Sequence, residues 1–133
     1  NHLDVIEAAG GLKGEPEKVI SGGPMMGFAM FNLDTPITKT SSSILCLTKD
    51  EVAESETSAC INCGRCVDAC PSRIIPSRLA DYAERFDEAN FVKWEGMECV
   101  ECGSCSYACP AKRHLKQSIG SMKKIVLANR RKK

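Results

Sequence analysis

Aromatic side chains are scarce in this sequence. Its 133 residues include 4 Phe, 2 Tyr and 1 Trp, which argues against a core built mainly from large rings. Long apolar runs are missing too. Stretches such as Ile44-Leu45-Cys46-Leu47 are strand-sized, far short of the roughly 20 residues a membrane-spanning helix requires. The start, Asn1-His2-Leu3-Asp4, has no basic region, apolar segment or small-residue cleavage site, so it does not read as a secretory signal. It also lacks an initiator Met, and the expectation is a piece of a longer chain. Without an export signal the default compartment is the reducing cytoplasm, where structural disulfides are rare.

Cysteine is abundant instead, with nine residues. That density in a short chain means a disulfide framework or a metal protein, and an odd count in a reducing compartment favours metal. The cysteines are ordered. Cys60, Cys63, Cys66 and Cys70 form one group; Cys99, Cys102, Cys105 and Cys109 form another, each 39 residues after its counterpart. Both groups read C-x-x-C-G-x-C-x-x-A-C-P, with Gly64, Ala69 and Pro71 matching Gly103, Ala108 and Pro110. This is an internal duplication over about residues 58–112.

C-x2-C-x2-C-x3-C-P is the spacing of the bacterial-type [4Fe–4S] run. Three thiolates on a tight loop reach three corners of an iron–sulfur cube. The loop glycine is expected to let the backbone pack close and turn N–H groups toward the sulfurs, and the proline sets the direction in which the chain leaves. In two-cluster proteins the fourth Cys of each run ligates the other cluster. Carried over, one [4Fe–4S] cluster takes Cys60, Cys63, Cys66 and Cys109, and the other takes Cys99, Cys102, Cys105 and Cys70. Ile61, Val67, Val100, Ile74 and Ile75 are candidates to shield them. A zinc-stabilised interaction module is the competing reading, but zinc has no use for a third Cys and a Cys-Pro repeated twice. A cube fully coordinated by cysteine offers no open iron to a substrate, so the expected work is one-electron transfer, with no catalytic residues. Cys46, the ninth cysteine, reads as a small core hydrophobe.

Around the duplication the signals are local. Leu3–Ala9 suggests a helix stopping at Gly10-Gly11. Lys18-Val19-Ile20, Phe28–Phe31 and Ser43–Leu47 are strand candidates, with Gly22-Gly23-Pro24-Met25-Met26-Gly27 read as a tight turn. Thr48-Lys49-Asp50-Glu51 has the form of a capping box. Ser77 is placed to cap a helix whose stripe is Leu79, Tyr82, Ala83 and Phe86. Phe91, Val92 and Trp94 form a second apolar stretch. Leu115, Ile119, Met122 and Val126 suit one face of a last helix, which Gly120 weakens by about 1 kcal/mol. His2 and His114 have no partner at ligand spacing. The divisions expected are 1–47, a small mixed unit; 48–128, a helical metal-binding unit; and 129–133, a basic tail that frays.

Charge is segregated. Residues 46–111 carry 6 Lys/Arg against 12 Asp/Glu, whereas residues 112–133 carry 9 Lys/Arg and no acid. The basic end lacks interleaved aromatics, which argues against specific nucleic-acid binding and leaves an acidic protein surface or an anionic membrane as partners.

Val19-Ile20-Ser21-Gly22-Gly23-Pro24-Met25-Met26-Gly27, then Leu47-Thr48-Lys49-Asp50-Glu51, then the two cysteine loops, resemble the C subunit of the Rnf electron transport complex over about residues 5–125. The 28 residues between Cys70 and Cys99 likewise resemble the helical ferredoxin modules of redox complexes. The Lys112-Arg113-His114 turn departs from the family in being more basic. The resemblance implies an α+β chain: 1–47 as the end of a soluble-ligand-binding β-grasp domain, followed by a mainly α-helical dicluster ferredoxin-type domain. It implies electron relay in a peripheral subunit on the cytoplasmic side of the bacterial membrane, in a ferredoxin:NAD oxidoreductase coupled to sodium or proton translocation. The other subunits of that complex are its expected partners. FMN and NADH would sit on an upstream domain, so this chain alone has no complete active site. The alternative is an iron–sulfur subunit of another redox complex, heterodisulfide-reductase-like or a dehydrogenase.

Overall fold

The computed structural model describes residues 1–132, and the chain divides after Ser55 into two units. The first is a small sheet with two helices. Helix α1, His2–Ala8, begins at Asn1, whose side chain accepts from the Asp4 N–H at 2.8 Å, satisfying an otherwise orphaned donor. It ends where Gly10 and Gly11 take positive φ and their N–H groups return to Glu7 and Ile6, a reversal glycine makes without a Cβ penalty. Strands β1 (Lys18–Ser21), β2 (Phe28–Met30) and β3 (Ile44–Leu47) form an antiparallel sheet in the order β2-β1-β3.

The central strand carries the β-branched pair Val19 and Ile20, and with Ser21 it is buried. Opposite-facing neighbours that are both buried mark a strand covered on both faces. Ile20 aligns with Ala29 on one side and Leu45 on the other. His2 is buried, its ring nitrogens 2.7 Å from the Thr35 carbonyl and 3.2 Å from Ser21 Oγ. It is a core histidine with both nitrogens satisfied. The glycine-rich segment is the β1–β2 turn: Gly27 N–H donates to Gly23 O at 2.7 Å, and a Cβ on Gly27 would lie 2.6–2.7 Å from Gly23 O, Ile20 Cγ2 and Ser21 O. Cys46 lies half-buried in β3 opposite Val19.

Helix α2, Glu51–Glu54, is capped by Asp50, not by the Thr48 box expected. Lys18 Nζ holds both Asp50 carboxylate oxygens at 2.8 Å, and Asp50 N–H donates to Glu17. Those bonds tie residues 48–55 to the strands, so the units divide after Ser55 where the sequence suggested 47.

The second unit is helical: α3 (Arg65–Asp68), α4 (Pro76–Glu84), α5 (Glu88–Lys93), a 3-10 turn (Gly96–Glu98), α6 (Ser104–Ala108) and α7 (Leu115–Arg131). Its core joins Leu79, Ala80 and Ala83 of α4, Phe91 of α5, and Leu115, Ile119, Met122 and Val126 of α7. The i, i+3/i+4 stripe of α7 is thus buried as its spacing requires. The α4 stripe ends earlier than expected: Phe86 lies beyond the helix at φ 55° and is 75% exposed. Pro76, not Ser77, opens α4, because a first-turn proline gives up an N–H with no intrahelical partner. Residues 129–131 continue α7, with Asn129 donating to Glu88 at 2.8 Å, where fraying was expected; Lys133 lies outside the described residues. No helix among the described residues is long and apolar enough to cross a membrane.

Candidate metal centres

The duplication extends from residue types into backbone geometry. Asn62, Gly64 and Arg73 take φ of 55°, 76° and 54°; Glu101, Gly103 and Lys112, each 39 residues later, take 55°, 83° and 54°. Non-glycine residues enter this left-handed region at a cost of about 1–2 kcal/mol, so the same departure at matching positions reflects a loop that demands it. The demand is visible at the sulfurs. Asn62 N–H donates to Cys60 Sγ at 3.5 Å, and Glu101 N–H donates to Cys99 Sγ at 3.4 Å. Gly64, at φ 76°, lines the first cavity described below, and a Cβ there would meet no protein atom within 4 Å.

After each loop glycine a short helix begins, and its second residue is the third cysteine of the run. Cys66 and Cys105 are accordingly buried, each 8% exposed. Cys60 and Cys63 are exposed, whereas Cys99 and Cys102 are half-buried. The eight cysteines line two concavities of about 350 and 330 Å³, counted out to solvent. The first takes Cys60, Cys63 and Cys66 from one loop and Cys109 from the other. The second takes Cys99, Cys102 and Cys105 with Cys70. Each cavity therefore receives three thiols from its own repeat and a fourth from the other.

Of the expected shielding residues, Ile74 is buried and Ile75 half-buried, but Ile61 and Val100 sit at the rims, 65% and 63% exposed, and Val67 is exposed as well. His114 stands exposed before α7. Among the described residues no three His, Cys, Asp or Glu groups converge on a point suited to a single ion; the corners of a four-iron cube lie wider apart than the ligands of one ion.

The thiols differ in electrostatics. Burial pushes Cys105 up to about 11. Burial likewise raises Cys99, opposed by the Glu101 N–H and the Lys123 charge, and aided by Glu101 and Cys70. Ser104, 3.4 Å from Cys102, lowers that thiol by hydrogen bonding to the thiolate. Around the second cavity Lys123 Nζ donates to Cys99 O at 2.5 Å and lies 3.9 Å from Glu101. Gly120 makes room for that carboxylate: a Cβ would lie 2.9 Å from Glu101 Oε2. Beside the first cavity, Arg113 Nη2 bonds Asp81 at 2.8 Å and reaches Glu84 at 3.4 Å.

Periodicity and spacing pointed to none of Arg113, Lys123, Ser104 or Ser106. Ser106 Oγ accepts from Lys116 N–H at 2.9 Å, capping α7 from a neighbouring helix where His114 makes no side-chain cap. Only the basic character of Lys112-Arg113-His114 marked Arg113.

Comparison with known proteins agrees with this geometry. Residues 59–113 match the 4Fe-4S dicluster domain. Over 128 residues, 96% of the chain, it is 50% identical to the C subunit of the Na(+)-translocating ferredoxin:NAD(+) oxidoreductase complex of Acetobacterium woodii, and spans 29% of that protein. It is 58% identical over 77 residues, 58% of the chain, to the C subunit of the proton-translocating ferredoxin:NAD(+) oxidoreductase complex of Clostridium ljungdahlii, spanning 17% of it. It is 49% identical over 118 residues, 87% of the chain, to the C subunit of the ion-translocating oxidoreductase complex of Methanosarcina acetivorans, spanning 26%. The chain thus spans less than a third of the length of these relatives. It carries a 4Fe-4S dicluster domain, and its donor set of eight thiols in two groups of four fits two [4Fe–4S] clusters.

Proposed function

We propose that this chain is the electron-relay segment of the peripheral C subunit in a membrane-bound, ion-translocating ferredoxin:NAD oxidoreductase of the Rnf type. The observation that carries the reading is the exchanged fourth cysteine. In it, Cys60, Cys63, Cys66 and Cys109 hold one [4Fe–4S] cluster, and Cys99, Cys102, Cys105 and Cys70 hold the other, the arrangement of two-cluster ferredoxins. When bound, the clusters supply one-electron redox chemistry. The chain's own part is to fill every iron's protein position with thiolate, to direct the Asn62 and Glu101 N–H groups at sulfur, and to exclude water from the inner corners through buried Cys66, Cys105 and Ile74. Such N–H···S bonds and burial tune cluster potentials.

The rest of the proposal rests on the family resemblance and on the charge pattern of the sequence. In it the three-stranded antiparallel unit is the end of a soluble-ligand-binding β-grasp domain. The partners are other subunits of the complex, met on the cytoplasmic face of the bacterial membrane, and the basic end of α7 contacts acidic protein or anionic lipid headgroups. Flavin and nicotinamide chemistry belongs to the larger protein in this scheme. Two relatives are named for different ions, sodium and proton, and both match this chain. Anaerobic reconstitution followed by iron and sulfide analysis tests the core of the proposal: about eight of each per chain are expected from two cubes. Zinc bound without sulfide would overturn it.

A further inference from the structure

The duplication breaks at Arg113. Its counterpart 39 residues earlier is Ile74. Both follow a left-handed residue, Lys112 and Arg73, and both line a cysteine cavity, Arg113 the first and Ile74 the second. An apolar wall on one side is thus replaced by a guanidinium on the other. The Arg113 side chain is only 12% exposed. Burial disfavours its charge, but the hydrogen bond and charge of Asp81, the charge of Glu84 and the nearby Cys60 thiol hold its pKa above the ordinary arginine value. Asp81 and Glu84 engage Nη2 alone. Nη1 is buried and, among the described residues, is the side-chain nitrogen or oxygen so placed without a hydrogen-bond partner. A buried guanidinium N–H without an acceptor is costly, and Arg113 lines this cavity together with Cys60, Cys63, Cys66 and Cys109, whose sulfurs are able to accept.

We propose that Arg113 is a positioning residue for the first cluster: Nη1 donates to a sulfur of the group held by Cys60, Cys63, Cys66 and Cys109, and its charge favours the reduced state. The inference rests on the two-cluster reading above and extends it, because it makes the two clusters unequal. The second cavity has its own cation, Lys116, but there the wall also carries the Glu101 carboxylate. The first cavity's wall holds Arg113 with no acid among its lining residues, the Asp81 and Glu84 carboxylates that pair with Nη2 standing outside that lining. Removing Arg113 should make the first cluster harder to reduce and leave the second unchanged.

The test is an anaerobic redox titration, followed by EPR, of the reconstituted full chain, with the two signals assigned by Cys63→Ser and Cys102→Ser chains. Arg113→Gln should lower the reduction equilibrium of the first cluster at least tenfold, which is about 59 mV for one electron. Arg113→Lys should recover part of the shift. Unmoved potentials, or equal shifts of both clusters, would overturn the proposal and reduce Arg113 to a clamp on Asp81 and Glu84. If Arg113→Gln loses the first cluster, Asp81→Asn decides: it keeps Arg113 but removes the opposing charge, and should raise the same potential. No rise overturns the proposal. An unsubstituted chain that binds no iron and sulfide would instead defeat the two-cluster reading itself.

Discussion

Gly96→Ala tests whether core packing places a cluster ligand. Gly96 is buried in the 3-10 turn and its carbonyl accepts the N–H of Cys99 at 3.4 Å. A Cβ at Gly96 would fall 2.5, 2.6 and 2.7 Å from three ring carbons of Phe91, where carbon contacts settle at about 3.5–4.0 Å. About 1 Å of displacement is needed. Phe91 is fully buried, so the ring has nowhere to go and the turn must move. Overpacking of this kind costs about 1–3 kcal/mol. The smaller backbone entropy of unfolded Ala offsets about 0.4–1 kcal/mol. Three ring atoms clash at once, so the upper part of the range applies and the net loss is about 2 kcal/mol. With an m-value of about 1 kcal/mol/M, the urea midpoint falls by about 2 M. Trp94, the single tryptophan, lies beside the turn under Arg78, so its fluorescence follows this unit in an anaerobic urea titration of the reconstituted chain. Iron analysis should show selective loss from the 99–105 loop. Phe91→Leu removes the outer ring carbons, and the double variant should exceed additivity by about 1 kcal/mol. An unshifted midpoint with full iron, or strict additivity, would refute the idea that Gly96 and Phe91 set the position of Cys99.

Three further outcomes are expected. Cys70→Ala should abolish the EPR signal of the cluster in the 99–105 loop and spare that of its own loop; the reverse pattern would contradict exchanged ligation. The hydrogen bond from Lys18 outweighs burial and, with the Ala53 N–H, holds the Asp50 carboxyl below its ordinary 3.8. A depressed carboxylate stabilises the folded state above that unfolded value and loses its contribution as pH falls through the lower folded value. The protection factors of the β1 amides, corrected for the intrinsic exchange rate at each pH, should therefore fall below about pH 4 in the native chain and fall less in Asp50→Asn. At Lys112, φ 54°, a β-branched side chain is disfavoured further: Lys112→Val should cost about 1–2 kcal/mol whereas Lys112→Gly should not, as read from the same urea titration.

What was legible in the sequence followed from constraints that act over a few residues. Thiolate spacing for a cube is local, so the eight cysteines and their 39-residue offset stood out before any geometry. The α7 stripe at Leu115, Ile119, Met122 and Val126 was legible because a helix that buries one face must repeat every 3–4 residues. The misplaced features depend on partners distant in sequence. Asp50 displaced Thr48 as a cap because Lys18, 32 residues away, fixes it; α7 takes its cap from Ser106 on another helix. Gly120 reads as a weakness in a helix, yet the Glu101 carboxylate occupies the space a Cβ would need. Arg113 has no periodicity or spacing, and beyond the basic character of its turn it is revealed by its unpartnered nitrogen and its place in a thiol-lined cavity.

The repeat also separates what a cluster requires from what distinguishes two clusters. Positions that shape the ligand loop are duplicated in conformation even where the side chain changes, as at Asn62 and Glu101 or Arg73 and Lys112. Positions that line the cavities beyond the loop are not: Ile74 faces Arg113 across the offset, and Ser77 faces Lys116. Exposure diverges in parallel, with Cys60 and Cys63 open to solvent and Cys99 and Cys102 half-buried. Solvent access, nearby charge and hydrogen bonds to sulfur are the protein's means of setting cluster potential, and they differ between the halves while the thiolate set does not. In this chain the residues the duplication preserved supply the common set of thiols, and those it let diverge supply the differences in exposure and nearby charge.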